Sequence, residues 1–177
     1  MIRLFDILFS FFGLLVLSPL LITILIISFI KDGSPIFIQK RIGRDQEIFS
    51  IIKFRTMKKN TKIMPSHFVR KNMITTFGFF LRRNKLDELP QLFNVLIGDM
   101  SLVGPRPCLL NQKKLIKERK KRGVFKAKPG MTGLAQISSI TMRTPITLAK
   151  IDSKMNNQMN LFYYFNYILR TILLIIK

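Results

Sequence analysis

Residues 7–30 carry no charged side chain and are mostly apolar. As one helix, a run of that length spans the ~30 Å hydrocarbon core of a bilayer. Ser18-Pro19 near its middle opens a second reading. Pro19 has no N–H for the Leu15 carbonyl, and its ring presses on that turn. The Ser18 hydroxyl can satisfy a freed carbonyl locally. Each half, 7–18 or 20–30, is about 16–18 Å long at ~1.5 Å per residue, roughly one leaflet deep. The pattern therefore predicts either a spanning helix or a helix–break–helix that returns to the side it entered from.

Beyond this run the periods shorten. Asp32-Gly33-Ser34-Pro35 predicts a turn. Ile36–Lys40 and Ile48–Phe54 read as strands joined by a turn at Arg41–Asp45, a β-hairpin in which Lys53 and Arg55 share one face. Residues 58–72 read as a basic loop, with His67 as a surface residue. Ile74–Leu81 predicts a short buried helix ending at Arg82. Leu89, Leu92, Phe93 and Leu96 fall at i, i+3, i+4 and i+7, one apolar face of a helix. Pro90 is tolerable only in a first turn, so that helix starts at about Asp87 and stops at Gly98. Residues 98–107 read as a rigid loop in which Pro105 and Pro107 set the direction of Arg106. Residues 113–128 hold nine Lys or Arg and one acid, Glu118: a solvated helix face, or one drawn to anionic headgroups. A turn at 128–133 and a short strand at 134–137 follow. Residues 161–177 hold all three tyrosines and predict either an interfacial or a core helix. The whole is α+β and mostly helical: a membrane segment at 1–31, then a body at 32–177 with a short β-hairpin and amphipathic helices.

Charge changes the picture. The net charge is +21, yet 48% of the residues are hydrophobic and the mean hydropathy is +0.25. Nucleic-acid binders share the charge but rarely the apolar content, so a protein on an anionic membrane surface fits better and nucleic acid is not expected as a partner. Arg3 precedes the apolar run and the other 29 Lys and Arg follow it, which puts the body on the cytoplasmic side. A single cysteine, Cys108, excludes an internal disulfide. One histidine excludes multi-histidine metal sites, so any metal is a hard one held by oxygen.

Only two of the nine acidic residues are adjacent: Asp87 and Glu88. No other carboxylate lies between Glu47 and Asp87, while the same interval holds ten Lys or Arg. Carboxylates in such surroundings stay ionised at neutral pH. The pair can bind a divalent cation or supply a carboxylate nucleophile, or it can be a plain Asp cap followed by a first-turn Glu. From the residues alone, a membrane-tethered basic binding or scaffold protein without catalysis is the competing reading.

The motifs together are those of a known family. The chain resembles the bacterial sugar transferases, the monotopic phosphoglycosyl transferases that act on polyprenyl phosphate. The resemblance rests on Ser18-Pro19, Ser34-Pro35-Ile36-Phe37, Gln39-Lys40-Arg41-Ile42-Gly43, Lys53-Phe54-Arg55-Thr56-Met57, Leu86-Asp87-Glu88-Leu89-Pro90-Gln91, Gly98-Asp99-Met100-Ser101-Leu102-Val103-Gly104-Pro105-Arg106-Pro107 and Lys128-Pro129-Gly130-Met131-Thr132-Gly133. It implies transfer of a sugar-1-phosphate from a UDP-sugar to polyprenyl phosphate with release of UMP, through an aspartyl phosphosugar and with Mg²⁺. Carried over, Asp87 is the nucleophile and Glu88 its partner at the metal. Lys53, Arg55, Arg82, Arg106 and Arg143 become candidates for phosphate or nucleotide contacts, and Asp152 matches a family acidic position. The Ser18-Pro19 segment is implied to be re-entrant, on the cytoplasmic face of the bacterial inner membrane. Homo-oligomers and downstream glycosyltransferases are implied partners, in the first membrane step of capsule, exopolysaccharide, O-antigen or glycoprotein glycan synthesis. The chain departs from the family pattern around Arg143, where the usual Gly-Arg pair is missing, and after Asp152, where a Tyr and a second acid are missing.

Overall fold

The computed structural model describes residues 1–59, 61 and 69–176. His67 and most of the loop around it lie outside them. The hairpin forms as the alternation requires. Strands β1 (Ile36–Ile42) and β2 (Ile48–Phe54) pair antiparallel, from Ile36 opposite Phe54 to Ile42 opposite Ile48. β1 runs two residues past Lys40, and Ile42 N donates to the Cys108 carbonyl at 3.1 Å.

Helix α1 (Ile2–Asp32) is continuous. This corrects the helix–break–helix expected at Ser18-Pro19, and the reason is local. The Ser18 hydroxyl donates to the Leu15 carbonyl at 2.7 Å, taking up the acceptor that Pro19 leaves free. The Thr23 hydroxyl does the same for the Pro19 carbonyl at 2.8 Å. α1 is long and apolar enough to cross a membrane.

The rest of the body lies along one face of this helix. Asp6, Ser10, Gly13, Leu17, Leu21, Ile24 and Ser28 recur at spacings of three and four and are buried or half-buried. At the N-terminal end, Arg3 donates to the carbonyls of Val95 and Leu96, 2.5 and 2.8 Å away. The buried Asp6 carboxylate accepts from Ser101 Oγ, Leu102 N and Tyr164 Oη at 3.0, 2.9 and 2.8 Å. At the other end, Ile24 packs with Phe54 and Leu81, and Lys31 lies over the Phe77 ring. Both ends of α1 are thus held by one body. Its opposite face leaves Phe11, Phe12, Leu15, Val16, Phe29 and Ile30 exposed.

Helix α2 (Thr76–Arg83) is capped by Thr75, whose hydroxyl accepts from Gly78 N at 3.0 Å. Only Gly78 and Leu81 are buried in it, while Phe79 and Phe80 are exposed, so the expected buried helix is buried on one side. Helix α3 (Gln91–Ile97) ends at Gly98, which takes the left-handed conformation. Its buried residues are Gln91, Leu92, Asn94 and Val95, and Phe93 points outward.

The expected loop at 98–107 contains strand β3 (Ser101–Val103), which pairs in parallel with β4 (Gly130–Thr132). Gly104 and Gly130 approach so closely that a Cβ on Gly130 would lie 2.0 Å from Gly104 N, which only glycine allows. The strand expected at 134–137 is instead helix α5 (Leu134–Ile137), because pairing stops at Thr132 and Ser138 N turns back to the Leu134 carbonyl. Short apolar runs do not distinguish the two states. Helices α4 (Lys113–Lys121) and α6 (Pro145–Gln158) form the far side of the body. The basic face expected on α4 has one exception, since Arg119 is buried. In α7 (Leu161–Ile176), Tyr164 and Tyr167 face the core, while Phe162, Leu169 and Ile172 face out.

The Asp6 cluster ties α1, β3 and α7 together, so its removal is measurable. Asp6→Ala strands the Leu102 N–H and the Tyr164 hydroxyl and is expected to cost roughly 3 kcal/mol. Asp6→Asn keeps an acceptor and should cost less than half of that. Denaturation of the detergent-solubilised protein gives both values, and equal costs for the two variants would refute this account of the cluster.

Candidate active site

The inner faces of β1 and β2 carry Phe37, Gln39, Arg41 and Lys53 into a cleft of about 250 Å³, which Arg55, one residue past β2, also lines. Arg82 of α2, the turn at Leu86–Glu88 and the Pro105-Arg106-Pro107 loop enclose it. Each wall has a local cause. Gly78 lets α2 press onto Thr56, where a Cβ would come within 2.3 Å of the Thr56 carbonyl oxygen. That closeness places Arg82 Nε 2.8 Å from Thr56 Oγ1. Arg55 is fixed by the carbonyls of Ser34 and Ile36 and by the Phe37 ring.

The dyad sits one turn earlier than expected. α3 begins at Gln91, and Asp87 and Glu88 occupy a single 3₁₀ turn before it, entered through Lys85 in the left-handed conformation. Pro90 has no N–H to return to the Leu86 carbonyl, so that carbonyl takes Leu89 N instead, at 3.2 Å. Leu86 packs against the Ile24, Phe54 and Leu81 cluster and anchors the turn from below.

The two carboxylates differ in their surroundings. Glu88 Oε1 accepts from Lys53 Nζ at 3.1 Å and from Arg106 Nη2 at 2.5 Å. Burial alone would raise its pKa, but Arg106 and then Lys53 outweigh burial and hold it well below the usual carboxylate range. Its folded value lies below its unfolded one. The pairing therefore stabilises the fold at neutral pH, and that contribution is lost as the pH falls through the acidic range. Among the described residues, no side chain or backbone N–H donates a hydrogen bond to the Asp87 carboxylate. Burial, and then repulsion from Glu88, raise its pKa above the ordinary Asp value, against the pull of Lys53, Arg82 and Arg106. Burial also lowers the Lys53 pKa.

Lys53, Arg55, Arg82, Asp87, Glu88 and Arg106 meet in this one cleft. Arg143 and Asp152 do not line it. Arg143 is exposed beside the cleft residue Met142. Asp152 is fully buried and accepts from Arg119 Nε and Nη2 at 3.0 and 2.7 Å. Arg119 Nη1 then donates to the Arg106 carbonyl at 2.8 Å, so Asp152 bears on the cleft only through the backbone that presents Arg106. Ser18 and Pro19 lie in mid-α1. Gln39, Arg41, Lys58 and Lys85 also line the cleft and were missed. For Gln39 and Arg41 a signal existed: they alternate with Phe37, which pairs with Lys53, so one hairpin face carries them all.

Among the described residues, no group of three or more His, Cys, Asp or Glu could hold a metal ion. The pair still suits Mg²⁺, which takes one or two carboxylates and completes its shell with water and substrate phosphates. Asp87 has acceptors to spare, and Glu88 is engaged through Oε1 alone.

A cationic cleft around two adjacent carboxylates, mounted on a long apolar helix, has the charge to receive phosphate groups. The chain belongs to the bacterial sugar transferase family, which it matches over residues 1–177. It is 42% identical over 157 residues to the undecaprenyl-phosphate galactose phosphotransferase of Salmonella typhimurium, covering 77% of this chain and 32% of that protein. It is 40% identical over 156 residues to the UDP-glucose:undecaprenyl-phosphate glucose-1-phosphate transferase of Escherichia coli, covering 84% and 33%. Against the exopolysaccharide production protein ExoY of Sinorhizobium fredii the identity is 35% over 154 residues, covering 77% and 68%. The chain thus spans about a third of the length of the first two relatives.

Arg106 pulls both carboxylates down, so its loss must raise them. In Arg106→Met, the acidic limb of the kcat/KM profile is expected to move to higher pH, with reduced activity throughout. An unmoved limb would show that neither carboxylate governs it.

Proposed function

We propose that this protein transfers a sugar-1-phosphate from a UDP-sugar to polyprenyl phosphate, at an early step of exopolysaccharide or capsule synthesis. The observation that carries the reading is the contrast within the dyad. Glu88 is locked by two cations, whereas among the described residues nothing donates a hydrogen bond to the Asp87 carboxylate, which faces a cleft lined by cations. In the first step an Asp87 oxygen attacks the sugar-bearing phosphorus, the bridging P–O bond breaks, and UMP leaves with that electron pair. An oxygen of the lipid phosphate then attacks the same phosphorus. The aspartyl P–O bond breaks, Asp87 is regenerated, and the product is a polyprenyl diphosphate sugar. Mg²⁺ held by Asp87, Glu88 and the diphosphate would neutralise charge on the leaving group. Arg82 stands beside Asp87 and Arg106 beside Glu88, so both cations are in place for the charge on the transferred phosphoryl group.

The topology follows the same reading. A helix held at Arg3 and Asp6 and again at Ile24 and Lys31 by one body does not carry its N-terminus away from that body. This supports a monotopic arrangement on the cytoplasmic face, with the outer face of α1 in lipid and both ends on the same side.

Two measurements test these statements. Purified protein given a panel of UDP-sugars, polyprenyl phosphate and Mg²⁺ is expected to release UMP with one or more of them, and Asp87→Asn to lower the rate by about three orders of magnitude or more. A folded protein that releases no UMP with any donor is a binding protein, not a transferase. In sealed inside-out vesicles, Ile2→Cys in a Cys108→Ser background is expected to react with an impermeant maleimide. Protection of that cysteine would place the N-terminus across the bilayer and overturn the monotopic arrangement.

A further inference from the structure

Among the described residues, the cleft cation Arg41 has no anionic hydrogen-bond partner. Arg41 Nη2 donates to Gln39 Oε1 at 2.6 Å and Nη1 to the Pro107 carbonyl at 3.1 Å, both neutral acceptors. Its Nε is buried and has no hydrogen-bond partner among the described residues. The carboxylate that acts on it, Glu88, is already shared by Lys53 and Arg106. Burial, and then the neighbouring Arg106 charge, bring the Arg41 pKa down to about 10, which leaves the group charged at neutral pH. A half-buried guanidinium in an accessible cleft, beside a second guanidinium, is a receptor for a phosphate group.

The two ends of the cleft differ in what lies behind them. Behind Arg82 and Asp87, Leu81 and Leu86 pack with Leu21 and Ile24 of α1, the apolar helix. Behind Arg41, Ile42 and Cys108 pack with Leu115, Phe125 and Leu148, a cluster to which α1 contributes nothing. On the transferase reading, a phosphate on a lipid would arrive beside α1, leaving the Arg41 end of the cleft for a water-soluble donor.

We propose that Gln39 and Arg41, beside Arg106, form the subsite for the nucleoside diphosphate of the donor, at the end of the cleft remote from α1. This rests on the transferase reading above. Gln39 sets the charge of the subsite. Its neutral carboxamide orients Arg41 without cancelling it, leaving that charge for the diphosphate.

Calorimetric titration of the purified protein with UDP and, separately, with farnesyl phosphate, both with Mg²⁺, tests the assignment. Gln39→Glu places a carboxylate against Arg41 with almost no change of shape. It is expected to weaken UDP binding about 10-fold or more, to leave farnesyl phosphate within about 2-fold, and to leave Tm unchanged or raised. Arg41→Met is expected to weaken UDP by roughly 10- to 100-fold, again selectively. An Arg41 that only braces the Pro107 loop predicts the opposite for Gln39→Glu, namely undiminished UDP affinity in a folded protein, and that result overturns the subsite. Equal losses for UDP and farnesyl phosphate overturn its assignment to the donor. Wild-type protein that binds farnesyl phosphate but no UDP overturns the transferase reading and the subsite with it.

Discussion

A single carboxylate oxygen, Glu88 Oε1, joins three separate parts of the chain. It takes Lys53 from the hairpin and Arg106 from the loop after β3, while the turn that carries it rests on Leu86. Removing one partner would leave another charge partly buried and uncompensated, a far larger cost than the net gain from the pair itself. The hairpin, the Leu86–Glu88 turn and the Arg106 loop are therefore held in mutual register by electrostatics as much as by packing. The second brace on that loop has the same character, because Asp152 fixes Arg119 and Arg119 fixes the Arg106 carbonyl. Asp152 is thereby moved from the expected substrate contacts to a place inside the body.

This division leaves Asp87 as the member with open acceptors. Two adjacent carboxylates in one turn cannot share the same cations equally. Arg106 and Lys53 are spent on Glu88, and Asp87 feels them only at a distance. A carboxylate whose pKa is raised by burial, yet flanked by Arg82, is more basic than a solvated one and still has positive charge at hand. That combination suits attack at phosphorus better than a tightly paired carboxylate does.

On the transferase reading, helix α1 solves a different problem, that of holding soluble chemistry against lipid. Polar side chains at Asp6, Ser10 and Ser28 are placed on its inward face, where Asp6 and Ser10 find partners, and large apolar side chains are left on the outward one. Phe79 and Phe80 of α2, Phe93 of α3 and Phe162 of α7 are exposed as well. Burying such side chains in lipid is worth about 1.5–3 kcal/mol each at full burial, so in the proposed monotopic arrangement several together would hold the protein to the membrane.

The hairpin, the extent of α1 and the stop at Gly98 were all legible in the sequence. Alternation, an uncharged run and a left-handed glycine are local properties, decided by neighbours a few residues away. The dyad was legible for a related reason, since two adjacent acids in a field of cations are rare enough to mark themselves. What sequence could not decide were outcomes that depend on distant partners. Pro19 looked like a break because the rescue by Ser18 and Thr23 depends on rotamers that spacing does not specify. Leu134–Ile137 looked like a strand because nothing local says that pairing stops at Thr132. Arg119 looked solvated and Asp152 looked like a substrate contact, for each was read without the other, 33 residues apart. Arg41 and Gln39 stayed hidden in a strand until the register with Lys53 brought them to the cleft. Local chemistry determined which groups this chain has to offer. Only the tertiary structure decided which of them meet, because charge pairing and burial act through space rather than along the chain.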